Sequence, residues 1–190
     1  MKQGFVKVAS ATPRIRVADP VYNAQVICEQ AKEAAEHGAK IVVFPELCIT
    51  GYTCNDLFLQ ELLLEKAKEA LLTIAEETGQ LETLFLVGLP VDKDGRLYNV
   101  AAVLYRGRIL GMIPKKNIPM YAEFYEGRHF TPGEETVTEY RLGKQVIPFG
   151  SNLLFRCEEL PELILGCELC EDLWVAEPPS TSVSYTHLRA

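Results

Sequence analysis

Residues 84–113 read LFLVGLPVDKDGRLYNVAAVLYRGRILGMI, and this stretch decides the fold class. Leu84-Phe85-Leu86-Val87-Gly88 is a short apolar run, the pattern of a strand buried on both faces. Asp92-Lys93-Asp94-Gly95 is a turn signal, and Leu97 to Tyr105 returns as a strand. Arg106-Gly107-Arg108 is the next turn and leads into Ile109 to Ile113. The three segments predict a strand meander.

Working outward, Phe5 to Ala9 reads as a first strand ended by Pro13. Asp19-Pro20 has the form of an N-cap followed by proline at the first helical position. Val21, Ile27, Ala31, Ala34 and Ala35 then follow at helical spacing, and Gly38 is the stop. Ile41-Val42-Val43-Phe44 is another strand of the fully buried type, ended by Pro45. The spacing of Leu57, Leu62, Leu63, Ala67, Ala70, Leu71 and Ile74 predicts a long helix over 56–78. Residues 114–132 read as irregular, and Leu163 to Leu169 as a last strand running into Cys170. Strands alternating with helices predict a layered α/β or α+β domain. Ser182 to Ala190 has no pattern that continues this rhythm.

Composition narrows the function. The chain has 190 residues, a formal net charge of −7 and 24% charged residues. A surface that acidic repels phosphate backbones, which argues against nucleic-acid partners. No apolar run approaches the roughly 20 residues needed to span a bilayer, and the N-terminus lacks the apolar core of a signal peptide. The expectation is a cytoplasmic protein with no membrane partner. Its six cysteines are then reduced thiols, most of them buried. Histidines are few and scattered, and Cys167 and Cys170 form a lone C-x-x-C whose members point to opposite faces of a strand. No metal site is expected.

Three places could carry chemistry. Cys170 stands where a strand breaks into an acidic turn. A nucleophile there is exposed, with backbone N–H groups converging beside it; a thiol packed under the turn fits the same pattern. Glu46 follows a buried strand and a proline, where partial burial would suit it to general acid–base work; a solvated loop glutamate also fits. Lys115 follows Ile113-Pro114 and could hold a thiolate or an oxyanion, although taken alone Lys115 and Lys116 read more readily as two surface lysines in a turn. Together they supply the base, cation and thiol that a cysteine amidase needs.

The segments FPELCITGY (44–52), LYNVAAVLYRGRILGMIPKKNIPMYAEFYEGRHFTPG (97–133) and GCELCEDLW (166–174) carry a family resemblance. In order and context, Glu46, Lys115 and Cys170 resemble the Glu-Lys-Cys triad of the nitrilase, or carbon-nitrogen hydrolase, superfamily. More narrowly, residues 1–181 look like the glutaminase domain of glutamine-dependent NAD+ synthetases. The resemblance implies an α+β fold, the nitrilase-type four-layer αββα sandwich, incomplete at the C-terminus. It also implies roles: Glu46 as base, Lys115 (not Lys116) as cation, and Cys170 as the nucleophile that forms a glutamyl thioester. Tyr121, Glu126, Glu171 and Trp174 would bind L-glutamine, with the Glu171 N–H as an oxyanion donor. The glutaminase step would need no cofactor. ATP and Mg2+, with deamido-NAD+, belong to a synthetase domain outside this chain, in a full-length protein expected to be a homo-oligomer. Residues 182–190 do not resemble the family and read as a non-native tail, and the fragment itself is expected to have little activity. A stand-alone nitrilase-type amidase, or a non-catalytic cysteine-bearing binding or redox module, are the other readings.

Overall fold

The computed structural model describes residues 5–181, so the tail at 182–190 lies outside the described residues. In chain order the elements are β1 (Val8–Ser10), α1 (Pro20–Glu36), β2 (Ile41–Val43), α2 (Glu61–Glu77) and β3 (Leu84–Lys93). They continue as β4 (Arg96–Tyr105), β5 (Arg108–Pro114), β6 (Thr138–Leu142), β7 (Gln145–Phe149), β8 (Phe155–Arg156) and β9 (Ile164–Leu165). Seven strands form one mixed sheet in the order β1-β2-β3-β4-β5-β7-β6, and β8 pairs with β9 in a separate ribbon. The predicted meander is β3-β4-β5, antiparallel throughout. Its two tight turns carry consecutive positive φ angles, Asp94 (52°) with Gly95 (73°) and Arg106 (47°) with Gly107 (75°). These are the mirror-image turns whose twist matches antiparallel strands.

Alternation along the central strands separates two faces. Phe85, Val87, Leu89, Val100, Ala102 and Met112 pack with Ile27, Ala31, Ala67, Leu71 and Ile74 of the two helices. Truncating a fully buried side chain such as Leu71 to alanine would cost about 2–5 kcal/mol. On the other face Ala101, Val103 and Ile113 pack with Leu153, Phe155 and Cys167, around the β8–β9 ribbon. Among the described residues this gives helix, sheet and second strand layer, the first three layers of the expected αββα arrangement.

Several boundaries differ from the sequence reading. The first strand is Val8–Ser10 rather than 5–9. The Asp19 N-cap is present, its carboxylate accepting from the Tyr22 N–H at 3.1 Å, but Val21 faces solvent. Val43 is exposed too, so β2 is not buried on both faces. The helix expected over 56–78 begins at Glu61. Residues 52–59 form 3-10 turns kinked at Asn55 (φ 49°), and Leu57 and Leu62 face solvent. Only Ile164–Leu165 of the last expected strand is paired. The β6–β7 hairpin was not expected at all.

Candidate active site

Glu46 leaves the end of β2 on a sharp bulge. Phe44 still donates to Leu86 O at 3.0 Å, and Ile49 rejoins β3 by donating to Gly88 O at 3.1 Å. Between them Leu47 sits at φ 53°. The bulge lies directly on Gly88, where a Cβ would stand 2.3 Å from the Leu47 nitrogen and 2.9 Å from the Glu46 carbonyl carbon. Only glycine lets the Glu46 backbone cross β3 this closely.

Lys115 follows β5 and is fully buried. Its Nζ donates to Glu46 Oε1 at 2.7 Å and to Glu126 Oε1 at 2.7 Å. Asn99, from the neighbouring strand β4, donates through Nδ2 to Glu46 Oε1 at 2.7 Å and to Glu126 Oε2 at 3.4 Å. Its backbone oxygen accepts from the Lys115 N–H at 2.8 Å. Tyr52 donates its hydroxyl to Glu126 Oε1 at 2.7 Å. One buried ammonium thus bridges two carboxylates; Asn99 shares Glu46 Oε1 with it and Tyr52 shares Glu126 Oε1, while Asn99 also reaches Glu126 Oε2. Removing one partner from a buried charge cluster of this kind costs about 3–5 kcal/mol. Lys116 turns away and pairs with Glu135 at 2.5 Å.

Cys170 opens a single 3-10 turn, Cys170–Leu173, and is exposed. Its φ is 41°, a conformation that costs a non-glycine residue about 1–3 kcal/mol and that clusters at functional sites. Burial of the sulfur raises the Cys170 pKa, with Glu46 adding to the rise; Lys115 lowers it, and Glu126 and Glu171 raise it further. The same charges that surround Lys115 are therefore felt at the thiol, which rests protonated. Burial also raises the Glu46 pKa against the opposing pull of Lys115. Burial works against the Lys115 charge, yet Glu46 and Glu126 outweigh it and lift its pKa above the ordinary lysine value. A neutral thiol, a carboxylate of raised basicity and a fixed ammonium can together deliver a sulfur nucleophile to a carbonyl carbon.

Of the four residues expected to bind substrate, Glu126 lies inside the buried network. Tyr121 donates its hydroxyl to Glu171 Oε2 at 2.7 Å near the surface. Trp174 is 74% exposed. A cleft of about 400 Å³ opens beside Tyr52 and Glu126, walled also by Asp56, Arg128, His129 and Phe130. Cys28, Cys48 and Cys54 are buried, as expected of structural thiols, and all six cysteines are free. Asn99, Tyr52 and Asp172 were not singled out from sequence. A polar residue inside the apolar run 97–105 was the available signal for Asn99. Asp172 is buried and accepts from the backbone N–H groups of Leu169 and Asn117.

The model of the carbon-nitrogen hydrolase family matches residues 7–181. The chain belongs to the carbon-nitrogen hydrolase family. It is 39% identical over 183 residues to the glutamine-dependent NAD(+) synthetase of Mycobacterium tuberculosis (strain H37Rv), covering 96% of this chain and 27% of that protein. The crystal structure of a glutamine-dependent NAD(+) synthetase from Cytophaga hutchinsonii superposes with a TM-score of 0.80 at 29% identity, over 87% of this chain and 28% of that one. An amidase from Nesterenkonia sp. shares the fold, with a TM-score of 0.57 at 24% identity, over 75% of this chain and 54% of that one. The chain thus spans a little over a quarter of the length of the synthetases it matches. As in its family, the fold is α+β of the nitrilase type. Among the described residues no helix is long and apolar enough to cross a membrane.

Proposed function

We propose that this carbon-nitrogen hydrolase chain cleaves the side-chain amide of L-glutamine at Cys170, and that the ammonia released serves ATP-dependent amidation of deamido-NAD+ in a longer protein. The observation that carries the reading is the buried Glu46–Lys115–Glu126 network beside a strained, exposed cysteine. Likeness to named glutamine-dependent NAD(+) synthetases supplies the substrate. Tyr121, Glu171 and Trp174 are the proposed glutamine contacts at the mouth of the site.

The chemistry follows from the geometry. The Cys170 sulfur attacks the amide carbon as Glu46 takes the thiol proton. Charge on the carbonyl oxygen is met by Lys115 and by the Glu171 N–H at the start of the 3-10 turn. The C–N bond then breaks, and Glu46 passes its proton to the leaving nitrogen, which departs as ammonia. A glutamyl thioester remains on Cys170. Water attacks it, Glu46 accepts the water's proton and returns it to sulfur, and glutamate leaves. Glu126, held by Tyr52 and Asn99, keeps Lys115 charged throughout.

Among the described residues no group of three or more His, Cys, Asp or Glu is placed to hold a metal ion. In this reading ATP and Mg2+ act in a synthetase part outside the chain, and none of the steps above passes through them. The test is Cys170→Ala in the protein carrying this chain. Glutamine-driven NAD+ formation should be lost while ammonia-driven formation persists. Undiminished use of glutamine would refute the proposal.

A further inference from the structure

Asp172 stands two residues after Cys170 with 2% of its surface exposed. Its partners are N–H donors from two separate segments. Leu169, just before the nucleophile, donates its N–H to Oδ2 at 3.1 Å. From the loop after Lys115, the Lys116 N–H reaches Oδ1 at 3.2 Å and the Asn117 N–H reaches it at 2.7 Å. The Asn117 side-chain amide adds a fourth donor at 2.9 Å. A carboxylate offers about four acceptor positions, so this one is saturated, and it spans 55 residues of sequence to join the thiol's turn to the lysine's loop.

The turn needs such a tie. The strand before it pairs only at Ile164–Leu165, and the turn itself is four residues long. Cys170 holds a positive φ that persists only where its surroundings over-determine it. We propose that Asp172 is a positioning residue, a buried clamp that holds the Cys170 sulfur against the Glu46–Lys115 pair. The inference rests on the glutaminase reading for its kinetic arm and is independent of it for its chemical arm. Asparagine at 172 would keep the shape but turn an NH2 toward N–H donors, leaving at least one pair of donors facing each other.

The experiment uses the longer protein that carries this chain and its Asp172→Asn variant. It measures kcat and KM for glutamine, and the pH profile of Cys170 alkylation by iodoacetamide, located by peptide mapping. The titratable groups that face the thiol are Glu46, Lys115, Glu126 and Glu171, with Tyr52 and Tyr121 feeling its charge in turn. The folded variant should lose kcat by on the order of 100-fold with KM nearly unchanged, the effect of about 1 Å of misplacement. Its alkylation profile should move to lower pH as the sulfur leaves its burial and the nearby carboxylates. Wild-type kcat and an unmoved profile in folded Asp172→Asn would overturn the clamp, even if the melting temperature falls. If that variant does not fold, Asn117→Ala, which removes one donor of four, decides. A smaller change in the same direction supports the clamp, and none overturns it. Should the wild-type protein that carries this chain leave glutamine intact while Asp172→Asn still shifts the profile, the clamp stands and the glutaminase reading fails.

Discussion

Gly88 offers a sharp test of how Glu46 is placed, because the clash made by one methyl group can be measured. In Gly88→Ala the new Cβ would lie 2.3 Å from the Leu47 nitrogen, 2.8 Å from Pro45 O and 2.9 Å from the Glu46 carbonyl carbon. All three are backbone atoms, so no side chain can swing aside. Restoring ordinary contact near 3.5–4.0 Å moves the bulge by roughly 1 Å. Overpacking of this sort costs about 1–3 kcal/mol of stability. The larger effect is on chemistry: a displacement of about 1 Å at a catalytic group costs on the order of 100-fold in rate. Gly166→Ala is the control, since its Cβ would meet only Leu154 Cδ2, at 3.5 Å. Glutamine hydrolysis per folded molecule is the assay, with the folded fraction set by circular dichroism. Gly88→Ala hydrolysing glutamine at the rate of Gly166→Ala would refute the claim that this close approach positions the base.

Other consequences concern the buried charges. Lys115→Met leaves Glu46 and Glu126 buried without their ammonium and should cost about 3–5 kcal/mol at neutral pH, read from urea unfolding. With Lys115 gone, burial raises the Glu46 pKa against only the Asn99 hydrogen bond. A raised folded-state pKa gives stability that is present at low pH and lost as pH rises, so the variant should recover part of its deficit on acidification. In the proposed mechanism hydrolysis requires Glu46 ionised, so the acid limb of the wild-type pH–rate profile should lie above the ordinary glutamate value of 4.5. A limb at or below that value would contradict burial of the base. Tyr52→Phe deletes the hydroxyl that bonds Glu126 at 2.7 Å and should lower kcat about tenfold, the equivalent of one hydrogen bond to a charged group.

The meander was legible in the sequence because its apolar runs and glycine-containing turns are local signals, and of the three candidate positions the structure brings Glu46 and Lys115 into direct contact. Glu46, Lys115 and Cys170 were candidates because each follows an apolar segment of the sequence. The partners that hold them were not legible, because long-range register brings them together. Tyr52 meets Glu126 across 74 residues, and Asn99 reaches Glu46 only because the β3-β4-β5 pairing sets it beside Lys115. The β6–β7 hairpin escaped notice although Tyr140, Leu142, Ile147 and Phe149 alternate as buried residues; Pro148 interrupts the run, as proline normally does in a strand. The start of α2 was misplaced because apolar spacing continues across Gln60, whose extended backbone (φ −89°, ψ 121°) separates the 3-10 turns from the helix.

The central claim is that Cys170 carries a glutamyl group during turnover. Rapid acid quenching of the protein with glutamine, followed by peptide mass spectrometry, tests it directly. The account predicts a glutamyl adduct on the peptide that bears Cys170, removed by hydroxylamine as a thioester is, and absent from Cys170→Ala. An adduct on another cysteine, or steady glutamine hydrolysis by Cys170→Ala, would contradict it.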